Sequence, residues 1–362
     1  MININTETIL FKLISLGLDE SSDSHFLQSV DWKSLWTMSS QQGVLAICLD
    51  GLQFLEKKNG YLASIPMHVK MQWIASVVQQ EKVYNVQWYA AKSLADLYGK
   101  YAVDIYVLKG FSLSRFYPKP EHRPCTDMDC FLKEDYEEGN RIAKEKGLTV
   151  DCSYYKHSKI LLRGLIVENH QFLLPIKGSS KAKRFERELR LWIDNGKNEN
   201  IGDSQLKATS PFFDAVYVLA HAQEHFLNEG IILRHICDWA MVLKTYADKV
   251  DWSEWKNVCK KYGMLSFGYA MSRLANRVCG ITIPFDCPKD DIADRRLLDD
   301  TLYRNVDSNN KRSDMQVRME LVKNMFRNNW KYRMFSDTNF LMFCGRRVWG
   351  YLFDKDLDLK IL

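Results

Sequence analysis

The chain has 362 residues, 46% of them apolar and 26% charged, with a formal net charge of +5 from 50 basic and 45 acidic side chains. That length buries a substantial core and suits two or three structural parts, while so mild a charge does not mark a nucleic-acid track. No apolar run reaches the roughly 18 residues of a membrane span, and MININTETILFKLISLGLDESSD lacks the basic start and cleavage site of a signal peptide, so the expected location is the cytoplasm.

Residues 1–100 are expected to form an N-terminal helical region. ETILFKLISLGL is apolar at helical spacing, and DWKSLWTMSSQQGVLAICLDGLQFLE follows with Asp31 placed as an N-cap. PMHVKMQWIASVVQQEKVYNVQWYAAKSLADLYGKY then runs from Met67 to Tyr98 without Gly or Pro. From 101 to 200 the period changes to that of an α/β core with a mixed sheet. VDIYVLKG and DMDCFLK read as strands, DYEEGNRIAKEKG as a helix ending at Gly147, and LTVDCSYYKH and KILLRGLIVENHQFLL as two further strands. The basic stretch KGSSKAKRFERELR, 177–190, reads as an exposed connection or one edge of a cleft. Residues 201–362 return to helical patterning and are expected to form a C-terminal bundle, so the fold class is α+β. The D-W-x-x-W echo at Asp31 and Asp251 is read as a reused Asp-capped helix start. The last amphipathic segments, MQVRMELVKNMFRNN and FLMFCGRRVWGYLF, are expected to pack as helices. Nine cysteines, at 48, 125, 130, 152, 237, 259, 279, 287 and 344, show no C-x-x-C spacing. Reduced and mostly buried thiols are expected, and a zinc ribbon is not.

The segment YVLKGFSLSRFYPKPEHRPCTDMDCFL, 106–132, carries the chemistry. A strand ends in Lys109-Gly110, a short helix and a proline-broken loop follow, and a second strand carries Asp127 and Asp129. Residues two apart on a strand share a face, so the two carboxylates project side by side while Met128 turns into apolar packing. Such a pair suits Mg²⁺, which takes one or two protein carboxylates and completes its shell with substrate phosphates. Gly110 permits close backbone approach, the N-terminus of a helix read as Phe111–Tyr117 offers free N–H groups to phosphate, Lys109 adds a point charge and Ser112 a hydroxyl. Arg123 has a planar fork suited to phosphate, or equally to an ion pair with an acid.

These residues resemble the signature of the uncharacterised nucleotidyltransferase family, within the DNA-polymerase-β-like nucleotidyltransferase superfamily: L-K-G at the end of a strand, a Y-P-x-P-x-x-R loop, then D-h-D-h. IVENHQ and AHAQEHF…LRHICDWAMVL extend the likeness, which covers roughly 105–285. The superfamily's Gly-Ser pair is replaced here by Lys109-Gly110-Phe111-Ser112. The resemblance implies a third carboxylate at Glu168, with Asp151 as a competitor, and two Mg²⁺ ions acting on a nucleoside triphosphate. Asp127, Asp129 and Glu168 would be both metal ligands and catalytic residues, and a nucleoside monophosphate would pass to a hydroxyl of a small molecule, protein or RNA end. Glu168 and His170 share a strand face, which brings His170 near the same site.

Two other readings remain open on the sequence. One is a non-catalytic module that keeps the fold to sense nucleotide or bind a partner. The other rests on His221-Ala-Gln-Glu224-His225, the H-x-x-E-H order of an inverted zinc peptidase, although no motif marks a third ligand. Otherwise His221 and His225, with Arg234 and Asp238, form a polar seam along the cleft.

Overall fold

The computed structural model describes residues 4–19, 30–59, 65–176, 179–303, 319, 323 and 326–337. Four helices precede the first strand: α1 (Ile4–Leu18), α2 (Trp32–Gln41), α3 (Leu45–Asn59) and α4 (Met67–Gly99). The carboxylate of Asp31 caps α2 by accepting from the Ser34 amide at 3.1 Å. Helix α4, about 50 Å long at 1.5 Å per residue, joins two cores. Val69, Trp73 and Val77 pack with the other helices, whereas Tyr84, Ala91, Leu94 and Tyr98 pack on the sheet.

The sheet is built from β1 (Ile105–Val107), β2 (Asp127–Phe131), β3 (Thr149–Asp151), β4 (His157–Leu162), β5 (Leu165–His170) and β6 (Leu206–Ala208), with α5 (Phe111–Ser114), α6 (Tyr136–Glu145) and α7 (Ser180–Asn195) between them. Its order is β3-β4-β5-β2-β1-β6. The central strand β2 runs antiparallel to β1 and parallel to β5, so the sheet is mixed, as expected. Met128 and Cys130 enter the core beneath α4 and α6. Asp127, Asp129 and Phe131 take the opposite face by strand alternation. That face is covered by helices α8 (Pro211–Asn228) and α9 (Leu233–Thr245), followed by α10 (Trp252–Tyr262), α11 (Leu265–Cys279), α12 (Asp291–Tyr303) and a short helix at Asn329–Phe335. Asp251 caps α10 by accepting from the amides of Ser253 and Glu254.

Three local expectations are corrected. KILLRGLIVENHQFLL is not one strand but parts of both arms of a hairpin, β4 and β5. Arg163 and Gly164 carry φ of 49° and 81°, the paired positive values of a tight hairpin turn whose twist matches the flanking strands. The stretch 180–190 is not a connection but lies in α7. Ser179 caps it through the Ala182 amide at 3.1 Å, and Phe185, Leu189 and Ile193, four apart, bury one stripe while the basic residues lie along the remaining faces. The sheet also reaches past 200, because β6 pairs in parallel with β1. Of the C-terminal segments, MQVRMELVKNMFRNN lies largely, and FLMFCGRRVWGYLF wholly, outside the described residues. Among the described residues no helix is long and apolar enough to cross a membrane.

One buried acid makes stability pH-dependent. Asp214 on α8 is fully buried, bonded by the Thr209 hydroxyl and, at 2.8 Å, by Tyr246. Burial outweighs those bonds and pushes its carboxyl up from 3.8 to about 7. A raised acid contributes stability that is complete below its unfolded value and is lost as pH rises through the folded one. Between pH 5 and 8 this group should therefore cost the fold about 3 kcal/mol, because only the interval up to about 7 counts, at 1.36 kcal/mol per unit. Urea denaturation of the wild type and Asp214→Asn at pH 5.5 and 8.5 should show a smaller loss on alkalinisation in the variant. Equal losses would mean that Asp214 does not titrate in this window.

Candidate active site

Strand pairing assembles the site. Asp129 on β2 lies directly against Glu168 on β5, and across the hairpin Lys159 faces Glu168 while His157 faces His170. Asp129, Glu168, His157 and His170 thus meet at one end of three neighbouring strands. They open, with Asp127 and Lys109, into a polar cavity of about 420 Å³ closed on its far side by α8 and the start of α9.

Asp129 is the electrostatic centre. It is 2% exposed; its Oδ1 lies 3.0 Å from His170 Nε2 and its Oδ2 lies 3.0 Å from Lys109 Nζ. Burial opposes its ionisation, but the Lys109 ammonium and the His170 contact more than offset this and hold the carboxyl well below the usual range. Glu168 moves the other way: burial, reinforced by the Asp129 charge, pushes it up. Two carboxyls on adjacent strands are thereby driven apart in acidity, the pattern that separates a fixed charge from a proton acceptor. Asp127 is half-buried at the cleft mouth and takes a 3.1 Å bond from the Thr126 hydroxyl.

Lys109 reaches across to α8, where its Nζ lies 2.9 Å from His221 Nε2. An ammonium can only donate, so His221 accepts there and carries its proton on Nδ1. Burial, then the Lys109 charge, depress the His221 imidazole well below its ordinary value. His225 Nε2 stands 3.2 Å from the same atom. Glu224 pairs with Lys156 at 3.5 Å. Among the described residues no third ligand joins His221 and His225; the group of three whose donor atoms all lie within 4.8 Å of one another is His157, Glu168 and His170. The H-x-x-E-H residues accordingly form one wall of the cleft.

Other expected residues divide. Gly110 has φ of 65°, in the left-handed region that favours glycine, and a Cβ there would stand 3.4 Å from the Asp127 carbonyl oxygen. The helix read as Phe111–Tyr117 is a single turn, Phe111–Ser114. Ser112 is fully buried and does not line the cavity, so its hydroxyl is not positioned to cradle a phosphate. Arg123 is also buried, with Nε and a terminal nitrogen 2.7 and 2.8 Å from the two oxygens of Asp238. Tyr117 donates to the same carboxylate at 2.7 Å, and His122 lies 2.5 Å from Asp50 and 2.8 Å from Glu81. The Y-P-x-P-x-x-R loop is thus tied to α9 by both its ends, Tyr117 and Arg123, and to α3 and α4 by His122 between them, and the Arg123 fork serves this brace. Asp151, the competing third carboxylate, is exposed on edge strand β3 and accepts from the Ser153 amide. His157 and Lys156 line the cavity without having been singled out in the sequence. The Arg-Gly dipeptide was the signal available, because counting outward from that turn pairs His157 with His170.

A mixed sheet presenting an aspartate pair on one strand and a glutamate in register on the next, beside a Lys-Gly turn, defines a nucleotidyltransferase-type core. The chain belongs to the uncharacterised nucleotidyltransferase family, whose model matches residues 28–280. That span takes in α2 to α4, the whole sheet and α8 to α11, more than the roughly 105–285 carried by the motifs. No curated protein and no solved structure matches the chain.

Proposed function

We propose that the chain transfers a nucleoside monophosphate from a nucleoside triphosphate to a hydroxyl acceptor. The observation that carries this reading is the β2–β5 register, which sets Asp129 beside Glu168 in the lining of a cavity large enough for such a ligand, at about 420 Å³ within the roughly 300–1,000 Å³ of small-molecule sites. The oxygens of Asp127 and Asp129 fit Mg²⁺: they are hard donors, and Asp129 Oδ2 is buried with no aligned hydrogen bond among the described residues. When bound, such ions neutralise charge on the phosphates and favour ionisation of the acceptor hydroxyl.

The remaining work falls to side chains. Lys109 stands 3.0 Å from Asp129 and serves as the point charge for a phosphate oxygen. Lys156 and Arg234 line the same cavity and make its wall attractive to a polyanion. Glu168, whose carboxyl is raised by burial and by Asp129, takes the proton from the acceptor hydroxyl more readily than an ordinary carboxylate. His170 donates from Nδ1 to the Phe172 carbonyl at 3.1 Å, which fixes its ring plane and aims Nε2 at Asp129.

Calorimetric titration with nucleoside triphosphates, with and without Mg²⁺, tests this reading without knowledge of the acceptor. Mg²⁺-dependent binding is expected in the wild type and should vanish in Asp127→Ala/Asp129→Ala. Undiminished binding in a folded double variant would move the nucleotide away from these carboxylates.

A further inference from the structure

We propose that His157, Glu168 and His170 form a binding site for a divalent transition-metal ion of the Zn²⁺ type, which loads without nucleotide and is not satisfied by Mg²⁺. The residues stand on the two arms of one hairpin, His157 on β4 and Glu168 with His170 on β5. His157 Nε2 lies 3.4 Å from Glu168 Oε1, and His170 Nε2 lies 3.9 Å from Glu168 Oε2. In a tetrahedral site with bonds of about 2.0–2.1 Å, ligand atoms stand about 3.3 Å apart, so these three need only small side-chain adjustments to close on an ion.

Two independent features point to a ligand. His157 is 8% exposed, yet neither ring nitrogen has a hydrogen-bond partner among the described residues. A buried neutral imidazole with an idle lone pair is costly, and a metal ion is the acceptor for that pair. His170 supplies the second feature. Its Nδ1 donates to the Phe172 carbonyl at 3.1 Å, the outer contact that fixes the tautomer of metal-binding histidines. Its Nε2 is thereby directed at Asp129 Oδ1, 3.0 Å away, and stands on the Glu168 side of the ring.

Two imidazoles and one carboxylate are the donor set of zinc and related first-row ions, not of magnesium, whose ligands are oxygens. The buried carboxylate of Asp129 adds negative charge next to the site. Lys159, 3.8 Å from Glu168 Oε1, opposes the ion and should swing outward when it binds. The proposal shares Glu168 and His170 with the nucleotidyl-transfer reading, adds His157, and needs neither nucleotide nor turnover.

Co²⁺, a spectroscopic substitute for Zn²⁺, provides the test on the full-length chain after chelation. One equivalent is expected to produce visible ligand-field bands, displaced by equimolar Zn²⁺ but not by millimolar Mg²⁺. His157→Ala and Glu168→Gln, each checked for folding by circular dichroism, should weaken binding at least about 100-fold, since even outer contacts of metal ligands are worth 10–100-fold. His225→Ala should leave binding unchanged. Loss in His225→Ala with retention in His157→Ala would place the ion on α8 and overturn the proposal. So would near-ultraviolet sulfur-to-cobalt bands, which would place it on cysteine, or no binding in the wild type. Mg²⁺-dependent nucleotide binding alongside any of these three results would leave the transferase reading intact.

Discussion

Asp129→Asn is expected to lower pyrophosphate release from a nucleoside triphosphate at least about 1,000-fold while the chain stays folded. The substitution keeps the volume of the side chain and removes only its charge. That charge faces Lys109 at 3.0 Å and His170 at 3.0 Å in a nearly closed pocket. Metal-centred charge stabilisation is worth several kcal/mol in the transition state, and each 1.36 kcal/mol is a factor of ten in rate. The wild type and variant should be compared by pyrophosphate release, with a urea melt on the same samples. A folded Asp129→Asn chain that releases pyrophosphate at the wild-type rate would remove Asp129 from the chemistry. Asp127→Asn should behave alike in turnover but change stability less, because its side chain is half-buried and bonded by the neighbouring, exposed Thr126.

The largest stability effect is expected at Arg123. Its fork is held by both oxygens of Asp238 at 2.7 and 2.8 Å, and both side chains are buried. Removing one partner of a buried ion pair strands the other charge and typically costs 3–5 kcal/mol. Arg123→Ala should therefore lose about that much in urea denaturation, and Arg123→Lys should rescue little because an ammonium cannot reproduce the two-point contact. Asp238→Ala should lose a comparable amount, and the double variant less than the sum of the two. Burial opposes charge on Asp238, but Arg123 more than offsets it and holds the carboxyl below its usual range. The pair's contribution is thus complete above the ordinary carboxylate value and fades only as pH falls through the depressed one. If Arg123 instead served mainly to bind phosphate, Arg123→Lys would keep stability and raise KM.

Arg123 also shows where sequence reading stops. An arginine four residues before an aspartate pair suits either a phosphate or an acid. The choice was made by Asp238, 115 positions later, carried on a helix whose placement depends on the whole C-terminal bundle. Ser112 is a similar case. Its spacing after Gly110 suggested a phosphate contact, yet the turn of Phe111–Ser114 points it into protein, where it is fully buried.

What the sequence by itself determined is local and periodic. Alternation put Asp127 and Asp129 on one face with Met128 beneath, and the capping acids Asp31 and Asp251 marked their helices. A glycine turn at the end of the first strand was legible at Gly110, as was the α+β pattern of a strand-rich centre between helical flanks. Each of these depends on residues within a few positions of one another, where backbone geometry alone sets direction. Tertiary structure decided which distant groups meet. Sheet order placed β5 beside β2 and so set Glu168 against Asp129, and the turn at Arg163-Gly164 brought His157 opposite His170. The packing of α8 over the cleft carried His221 to Lys109. These pairings follow from loop closure and core packing over tens to more than a hundred residues, to which a period of two or of 3.6 is blind.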